Sequence, residues 1–310
     1  MDMKTKEWIL IFIFLLLIPL TFSCGNNSEG LSYISPIDKD REGNHIKLPQ
    51  NIERIISMGP SNTEIIVDLG FGDKIVAIDS YSDNIEGVKP GIPMFSMMGP
   101  DGEQIINLAP DVIFVTGMSK VDGGDLLQGV ANAGICIIYL PTSTSIEAIE
   151  EDVMYISRVL GAEEKGEAIV SEMENEISEI KAIGETITDK KKVYFEIDAP
   201  PYLCSFGKGV FLNEMIELVG AENICGDQDG WVRITDETVV YANPDVILTS
   251  VNYIEDPVGE IRSRSSWSGV TAIKNGDVYY IDTDSSNRPS HKIVIALRQM
   301  AEAIYPDKYK

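Results

Sequence analysis

The chain has few basic residues and few residues of the kinds that usually bind metals. Its 310 residues include 25 Lys and Arg against 49 Asp and Glu, a formal net charge of -24. This charge repels nucleic acid, so we expect no nucleic-acid partner. The two histidines, His45 and His291, and the four cysteines show no zinc-finger spacing, and we predict neither a direct metal site nor a resident cofactor. The spacing leaves open whether Cys204 and Cys225 pair.

Motifs of catalysis and of extended stalks are also lacking. The sequence contains no G-x-S-x-G, no G-x-x-x-x-G-K and no cluster of cations, and its acidic residues are scattered as on a solvated surface. We therefore expect that the protein is not an enzyme. A surface adhesin or scaffold is the alternative from another functional class, although long repeats and low-complexity segments are lacking too. The hydrophobic content of 44% predicts a globular protein with a sizeable core.

The N-terminal segment has the pattern of an export signal. Two lysines precede an apolar run over residues 8–20, which is shorter than the roughly 20 residues that span a bilayer. Because Cys24 follows this segment, it resembles a lipoprotein signal. We predict a signal peptide over residues 1–23, lipidation at Cys24, and a polar leader with a first hairpin over residues 24–51. A plain secretory signal and an uncleaved anchor are the alternatives, and all three place residues 25–310 outside the cytoplasm, at the cell surface or in the periplasm.

Strand-like and helix-like segments alternate along the rest of the chain. The predicted strands span residues 52–57, 74–79, 111–116, 135–140, 192–197 and 245–250. The predicted helices span residues 61–69, 102–108, 125–133 and 212–218. In the first of these helices Ser61 is the expected N-cap and Glu64 stands at the capping-box position. This alternation predicts an α/β fold with parallel sheets and helices on both faces.

Two similar halves flank a long run of helix-forming residues. Glu64 and Glu214 occupy similar nine-residue blocks 150 residues apart, and Asp111 and Asp245 lie in similar blocks 134 residues apart. Between the halves, residues 145–185 predict a bridging amphipathic helix with a break or kink at Gly161. We therefore expect two Rossmann-like lobes, residues 52–144 and 186–310, joined by this helix. Loops at the carboxyl ends of their parallel strands would line a ligand cleft between the lobes.

Five sequence blocks carry a family resemblance that covers residues 37–304. They are N-I-E-R-I-I-S-M-G-P-S-N-T-E (51–64), S-Y-S-D-N (80–84), L-A-P-D-V-I-F (108–114), N-G-D-V-Y-Y-I-D (275–282) and R-P-S-H-K-I-V (288–294). In this order they resemble the substrate-binding lipoproteins of ABC importers for cobalamin, ferric siderophores and haem, the class with a long bridging helix. The resemblance implies a lipid-anchored, monomeric binding protein that delivers a small metal chelate to a permease dimer with its ATPase subunits.

Particular residues match functional positions of that family. Glu103 and Glu237 begin equivalent helices, and the resemblance implies that they dock onto arginines of the permease. The candidate ligand contacts are Ser61, Asn62, Tyr81 and Met98 on the first lobe and Trp231, Asp282, Asp284 and Arg288 on the second. In cobalamin binders of the family, residues matching Tyr81, Trp231 and Asp282 or Asp284 surround the ligand. Flat aromatic faces with few charges suit a large, partly apolar macrocycle, so a corrinoid is the favoured ligand.

Two other chelates are alternatives. The M-G-P-D block at residues 98–101 resembles a loop that supplies an axial methionine to haem, with His291 as the remaining candidate for a second ligand. Ferric siderophores, which are often anionic, would prefer a basic cleft. The arginines that would form such a cleft are Arg233, Arg262, Arg264 and Arg288.

Overall fold

The structure of the protein is a computed structural model that describes residues 37–117, 120–121 and 124–309. The predicted signal peptide, Cys24 and the leader up to residue 36 lie outside the described residues. Within the remainder of that leader, Lys39 and His45 form an antiparallel bridge. None of the helices in the described part of the chain is both long enough and apolar enough to cross a bilayer.

A five-stranded parallel sheet forms the first lobe. Its strands are β1 (Ile55–Met58), β2 (Ile75–Asp79), β3 (Met94–Phe95), β4 (Val112–Thr116) and β7 (Cys136–Leu140), and a separate antiparallel pair is formed by β5 (Lys120–Val121) and β6 (Gly124–Asp125). The sheet order is β3-β2-β1-β4-β7. Helices α1 (Pro60–Ile66), α2 (Gly102–Asn107) and α3 (Gln128–Asn132) belong to this lobe. The central strands β1 and β4 are continuous apolar runs. This pattern is expected of strands in a parallel sheet whose two faces are both covered.

The second lobe repeats this architecture with a shorter sheet. It contains β8 (Lys192–Glu196), β9 (Cys204–Phe206), β10 (Glu222–Asn223), β11 (Trp231–Arg233), β12 (Val246–Thr249) and β13 (Val278–Tyr280). The parallel sheet has the order β10-β8-β12-β13, and β11 pairs with β9 in antiparallel fashion. The helices are α6 (Phe211–Leu218), α7 (Asp236–Ala242), α8 (Pro257–Ser263), α9 (Thr271–Asn275), α10 (Thr283–Asn287) and α11 (Ile293–Ile304). The predicted α/β fold with parallel sheets in two lobes is confirmed. Cys204 and Cys225, whose pairing the spacing left open, do not form a disulfide.

The segment between the lobes consists of two helices. Helix α4 spans Ile146–Leu160, and α5 spans Glu163–Gly184. The side chain of Ser145 caps α4 by accepting a hydrogen bond from the backbone N–H of Ala148, 3.1 Å away. Gly161 ends α4 with φ of 68°, a left-handed conformation that glycine adopts without a steric cost. The break expected at Gly161 is therefore present, and the bridging segment is not one continuous helix.

The start of helix α1 differs from the prediction. Gly59 is its N-cap residue, Pro60 is the first helical residue, and no side chain caps the helix. Proline is favoured at this position because it has no N–H and its φ already suits a helix. Ser61 therefore lies inside the helix, and the capping box predicted for Ser61 and Glu64 is wrong. The carboxylate of Glu64 instead pairs with residues more than 200 positions away.

The structure confirms the internal repeat at the residues that precede β4 in the first lobe and β12 in the second. The Oδ2 atom of Asp111 accepts a hydrogen bond from the backbone N–H of Arg54, at the start of the first strand of its lobe, over 2.8 Å. In the second lobe, Oδ2 of Asp245 accepts one from the backbone N–H of Lys192 over the same distance. Asp111 thus connects the starts of β4 and β1, and Asp245 connects the starts of β12 and β8. This shared hydrogen bond explains why the Pro-Asp pair occurs in both lobes.

Two residues with positive φ also occupy equivalent positions, two residues before those aspartates. Ala109 has φ of 44° and Asn243 has φ of 49°. Asparagine tolerates the left-handed region, whereas alanine is disfavoured there by about 1–2 kcal/mol. We expect Ala109→Asn to raise the free energy of unfolding by about 1 kcal/mol and Asn243→Ala to lower it by at least that amount, because Asn243 also hydrogen-bonds Thr271. Urea unfolding measures both changes, and a loss of stability in Ala109→Asn would contradict the prediction.

Candidate functional site

The loops at the carboxyl ends of the two sheets contact one another. Nη2 of Arg288 donates to the carbonyl oxygen of Tyr81 over 3.2 Å and to Oδ1 of Asn84 over 2.8 Å. Nδ2 of Asn84 donates to Oδ2 of Asp284 over 2.7 Å. Tyr81 and Asn84 follow strand β2, while Asp284 and Arg288 follow β13. The carboxyl-terminal edges of the two sheets therefore face each other, as a cleft between the lobes requires.

Glutamates on equivalent helices of the two lobes accept hydrogen bonds from distant segments of the chain. Glu64 on α1 accepts from Nη1 of Arg288 over 3.0 Å and from the hydroxyl of Ser290, and all three side chains are almost fully buried. The repeat-related Glu214 on α6 accepts from the backbone N–H of Ile146, at the start of α4, over 2.9 Å. The guanidinium of Arg288, predicted to contact the ligand, is thus engaged in joining the two lobes.

The loop that carries Tyr81 rests on a buried hydrogen-bond network. Asp79, at the end of β2, accepts from the backbone N–H of Tyr81 over 2.7 Å and from the hydroxyl of Ser82. The hydroxyl of Thr63 reaches both Ser82, at 3.2 Å, and Ser57, at 2.8 Å. Burial raises the pKa of Asp79. This network fixes the backbone of the loop from its buried side and leaves the ring of Tyr81 largely exposed.

Aromatic side chains are exposed on the second lobe as well. Trp231 is 55% exposed and stands edge-on against buried Phe206, with ring centroids 6.1 Å apart. Tyr202 follows β8 and Tyr253 follows β12, and both are mostly exposed. The Tyr253 hydroxyl accepts a hydrogen bond from the backbone N–H of Ala199 over 2.9 Å, which fixes the ring beside the loop that carries Tyr202. The structure thus adds two tyrosines that the sequence analysis did not propose as corrinoid contacts.

The other predicted ligand contacts differ in accessibility. Ser61 and Asn62 are buried at the start of α1, and Met98 is exposed in the loop after β3. Asp282 caps α10, because its carboxylate accepts from the backbone N–H of Ser285 over 2.8 Å. Asp284, the other aspartate predicted to contact the ligand, accepts the hydrogen bond from Asn84 of the first lobe described above. The predicted residues thus all lie on segments at the carboxyl ends of strands or immediately after them, except Trp231, which lies on β11.

Arg264 forms a buried ion-pair network in the second lobe. Its Nη1 and Nη2 atoms donate to the two carboxylate oxygens of Glu196 over 2.6 and 2.9 Å, and the same guanidinium contacts Glu260. The exposed fractions of the Arg264 and Glu196 side chains are 7% and 1%. The guanidinium carbon lies 4.4 Å from the ring centroid of Trp267. Arg264 is therefore a core residue and does not provide a basic surface.

The residues predicted to bind haem or a ferric siderophore do not form a complete binding site for either ligand. His291 contacts Oδ2 of Asp68 through Nε2 at 2.7 Å, and this hydrogen bond lowers the pKa of Asp68. Arg262 donates to two backbone carbonyls. Arg233 is exposed, and its guanidinium lies 5.2 Å from the ring centroid of Tyr202. Among the described residues, no group of three His, Cys, Asp or Glu side chains is placed to hold a metal ion.

The two candidate docking glutamates occupy equivalent, exposed positions. Glu103 lies in the first turn of α2 and Glu237 in the first turn of α7. In the described part of the chain neither carboxylate has an ion-pair partner. A hydrogen bond with the Thr235 hydroxyl lowers the pKa of Glu237. One turn further along each helix, Ile106 and Val240 expose apolar side chains.

Comparisons with known proteins agree with this architecture. A sequence profile of the periplasmic binding protein family matches residues 55–285. The chain is 29% identical, over 93% of both chains, to an uncharacterized ABC transporter substrate-binding lipoprotein, YvrC, of Bacillus subtilis. It is 25% identical to a vitamin B12-binding protein of Vibrio parahaemolyticus, over 81% of this chain and 89% of the relative.

A solved structure from Staphylococcus epidermidis is also similar. It is described as a possible iron-binding, periplasmic solute-binding protein, and it is 28% identical to this chain. The two structures superpose with a TM-score of 0.72 over 82% of this chain and 99% of the other. The family match spans both lobes and the segment between them, which confirms the resemblance found in the sequence. The chain belongs to the periplasmic binding protein family.

Proposed function

We propose that the protein is the extracytoplasmic substrate-binding subunit of an ABC importer and that it captures a corrinoid such as cobalamin. One observation carries the choice of ligand: tyrosines from both lobes are exposed just after strands whose carboxyl ends face each other. Tyr81 belongs to the first lobe, and Tyr202 and Tyr253 belong to the second, where Trp231 on β11 adds a further exposed ring. A flat, partly apolar macrocycle offers such rings a large contact area, while the phenol hydroxyls can hydrogen-bond its polar rim.

The proposal includes the partners and the location. The ligand passes unchanged to a permease dimer whose ATPase subunits hydrolyse ATP, and Glu103 and Glu237 contact that permease. The exposed apolar residue beside each glutamate supports a contact surface on both lobes. The protein acts as a monomer that is attached to the membrane through a lipid on Cys24. The similarity to YvrC, an ABC transporter substrate-binding lipoprotein, over 93% of both chains supports the role in an importer and the lipid anchor.

Haem is the second candidate ligand, because the thioether of Met98 is exposed in the loop after β3. Methionine is an established axial ligand of haem iron. The candidate for the opposite axial position, His291, is already hydrogen-bonded to Asp68. A corrinoid needs no such pair of axial side chains, and the aromatic residues therefore favour it over haem.

The test is retention of a coloured ligand by the full-length protein in detergent. The protein is incubated separately with cyanocobalamin, hemin and a ferric siderophore, desalted, and examined by visible absorption. We expect corrin colour to be retained, and we expect Trp231→Ala to weaken cyanocobalamin binding about tenfold, because stacking on one aromatic ring contributes about 1–3 kcal/mol.

Tyr241→Ala is the matched control for Trp231→Ala. Tyr241 is 93% exposed, but it lies at the end of α7 that leads into the amino end of β12, opposite the carboxyl edge of the sheet where Tyr202 and Tyr253 lie. This variant should bind cyanocobalamin as the unmodified protein does. A retained Soret band without corrin colour would replace the corrinoid by haem, and colourless fractions with all three compounds would refute a metal chelate as the ligand.

A further inference from the structure

One of the four arginines that the sequence offers for a basic cleft has no polar partner within the described residues. Arg264 and Arg288 are held in ion pairs that are buried or almost buried. Arg262 donates to two backbone carbonyls. Arg233 on β11 is exposed, and in the described part of the chain its guanidinium has neither an ion-pair partner nor a hydrogen-bond acceptor. The five N–H donors of this guanidinium are therefore available to a ligand.

The strand pairing places Arg233 at the carboxyl edge of the second sheet. In the antiparallel pair of β9 and β11, Arg233 lies opposite Cys204. Cys204 in turn forms a bridge with Asp198, two residues beyond the last residue of β8. Arg233 therefore lies level with the loop that leaves the carboxyl end of β8, and this loop also carries Tyr202. This is the edge of the second sheet that faces the first lobe.

The ring of Tyr202 supports the guanidinium at this edge. The guanidinium carbon of Arg233 lies 5.2 Å from the ring centroid of Tyr202, which is a cation–π contact. An arginine that rests on an aromatic face keeps its N–H groups free, and its planar fork matches two oxygens of a phosphate or a carboxylate. Because both side chains are exposed, a ligand at this edge can reach the fork.

The charges at this edge leave the positive charge of Arg233 available. Asp198 is a carboxylate of the same edge, and its Oδ1 atom accepts a hydrogen bond from the Tyr253 hydroxyl over 3.4 Å. No ion pair joins Asp198 to Arg233. The chain as a whole has a net charge of -24, which repels an anionic group from most of its surface. An available cation beside the exposed tyrosines therefore favours an anionic group of the ligand at this position.

We propose that Arg233, supported by Tyr202, binds the phosphodiester of a corrinoid that carries its nucleotide loop. The inference rests on the proposed function and deepens it, because it names the form of the macrocycle that is recognised and the part that faces the second lobe. Cyanocobalamin has one phosphodiester in that loop, while the side chains around its ring are neutral amides. Arg233 therefore distinguishes a complete corrinoid from one that lacks the loop.

The test compares two corrinoids on the full-length protein in detergent. Dicyanocobinamide has the corrin ring of cyanocobalamin but lacks the nucleotide loop and its phosphodiester. We expect Arg233→Gln to weaken cyanocobalamin binding about tenfold, the effect of one lost charge-assisted hydrogen bond, and to leave the affinity for dicyanocobinamide unchanged. Equal losses for the two corrinoids, or no loss for either, would overturn the proposal and leave the corrinoid in place as the ligand.

Arg262→Gln is the matched control, because it removes the same charge from the same lobe. The carbonyl oxygens that accept from Arg262 belong to Gly276 and Val278, at the amino end of β13. They thus lie at the end of the sheet opposite Arg233. This variant should keep its affinity for both corrinoids. If it lost cyanocobalamin affinity as Arg233→Gln does, net charge would explain the effect and the proposed contact would be refuted.

Hemin separates a failure of this contact from a failure of the proposed ligand. Retention of neither corrinoid by the unmodified protein would refute the corrinoid as the ligand. Hemin, whose carboxylates are also anionic, then takes the place of cyanocobalamin in the comparison. A tenfold loss of hemin affinity in Arg233→Gln, with none in Arg262→Gln, would support Arg233 as the residue that binds an anionic group. Unchanged hemin affinity, or no binding of hemin, would contradict that role.

Discussion

Replacing Arg264 by methionine is expected to lower the free energy of unfolding by about 3–5 kcal/mol. The change leaves the carboxylate of Glu196 buried without its cation, and the loss of one partner from a buried ion pair has effects of this size. It also removes the contact between the guanidinium and the ring of Trp267. Urea unfolding followed by tryptophan fluorescence and by circular dichroism measures the effect.

Arg298→Met is the matched control, since it deletes the same group from a surface pair. The Arg298 side chain is 51% exposed, and its Nη2 atom lies 3.0 Å from Oε2 of Glu176. Exposed ion pairs contribute about 0–1 kcal/mol because water and salt screen them. Equal losses in the two variants would show that burial of Arg264 does not set the strength of its network.

Neutralising both docking glutamates, in Glu103→Gln with Glu237→Gln, should reduce uptake more than tenfold and leave ligand affinity unchanged. Each glutamate would lose a charge-assisted hydrogen bond to the permease, a contact of about 1.5–3 kcal/mol. The variant replaces the native protein in host cells, and uptake of labelled cyanocobalamin is compared with affinity measured on the purified protein.

The control for this experiment makes the same change in net charge elsewhere. Glu167 and Glu179 are exposed on α5, and Glu167→Gln with Glu179→Gln should leave uptake near its normal rate. If this pair reduced uptake as much as the first, overall charge rather than a defined contact would govern docking. A loss of ligand affinity in the variant at Glu103 and Glu237 would refute the assignment of those residues to the permease.

Much of the fold could be predicted from the sequence because its signals are local. The central strands are continuous apolar runs, and the repeated Pro-Asp pairs at Asp111 and Asp245 mark the same junction in both lobes. The left-handed break at Gly161 also has a local cause, since glycine adopts positive φ without a steric cost. The order of strands along the chain then restricts the topology to a two-lobed α/β protein.

The pairings that hold the site together could not be predicted in this way. Glu64 suits a capping box by its spacing, yet its partner Arg288 is 224 residues away. The sequence likewise offers Arg264 as one arginine of a basic cleft, while the structure buries its side chain against Trp267. Such pairings depend on which segments the folded chain brings together.

The two helices between the lobes bear on how the chain folds. Ile149 of α4 and Met173 of α5 belong to the hydrophobic core of the second lobe, whereas Ile156 of α4 belongs to that of the first. Neither lobe can therefore complete its core without a segment that the other also needs. Loss of one lobe would open the core of the other, which makes the folding of the two cooperative. Despite the repeat in its sequence, we therefore expect the two lobes to unfold together and not as two independent modules.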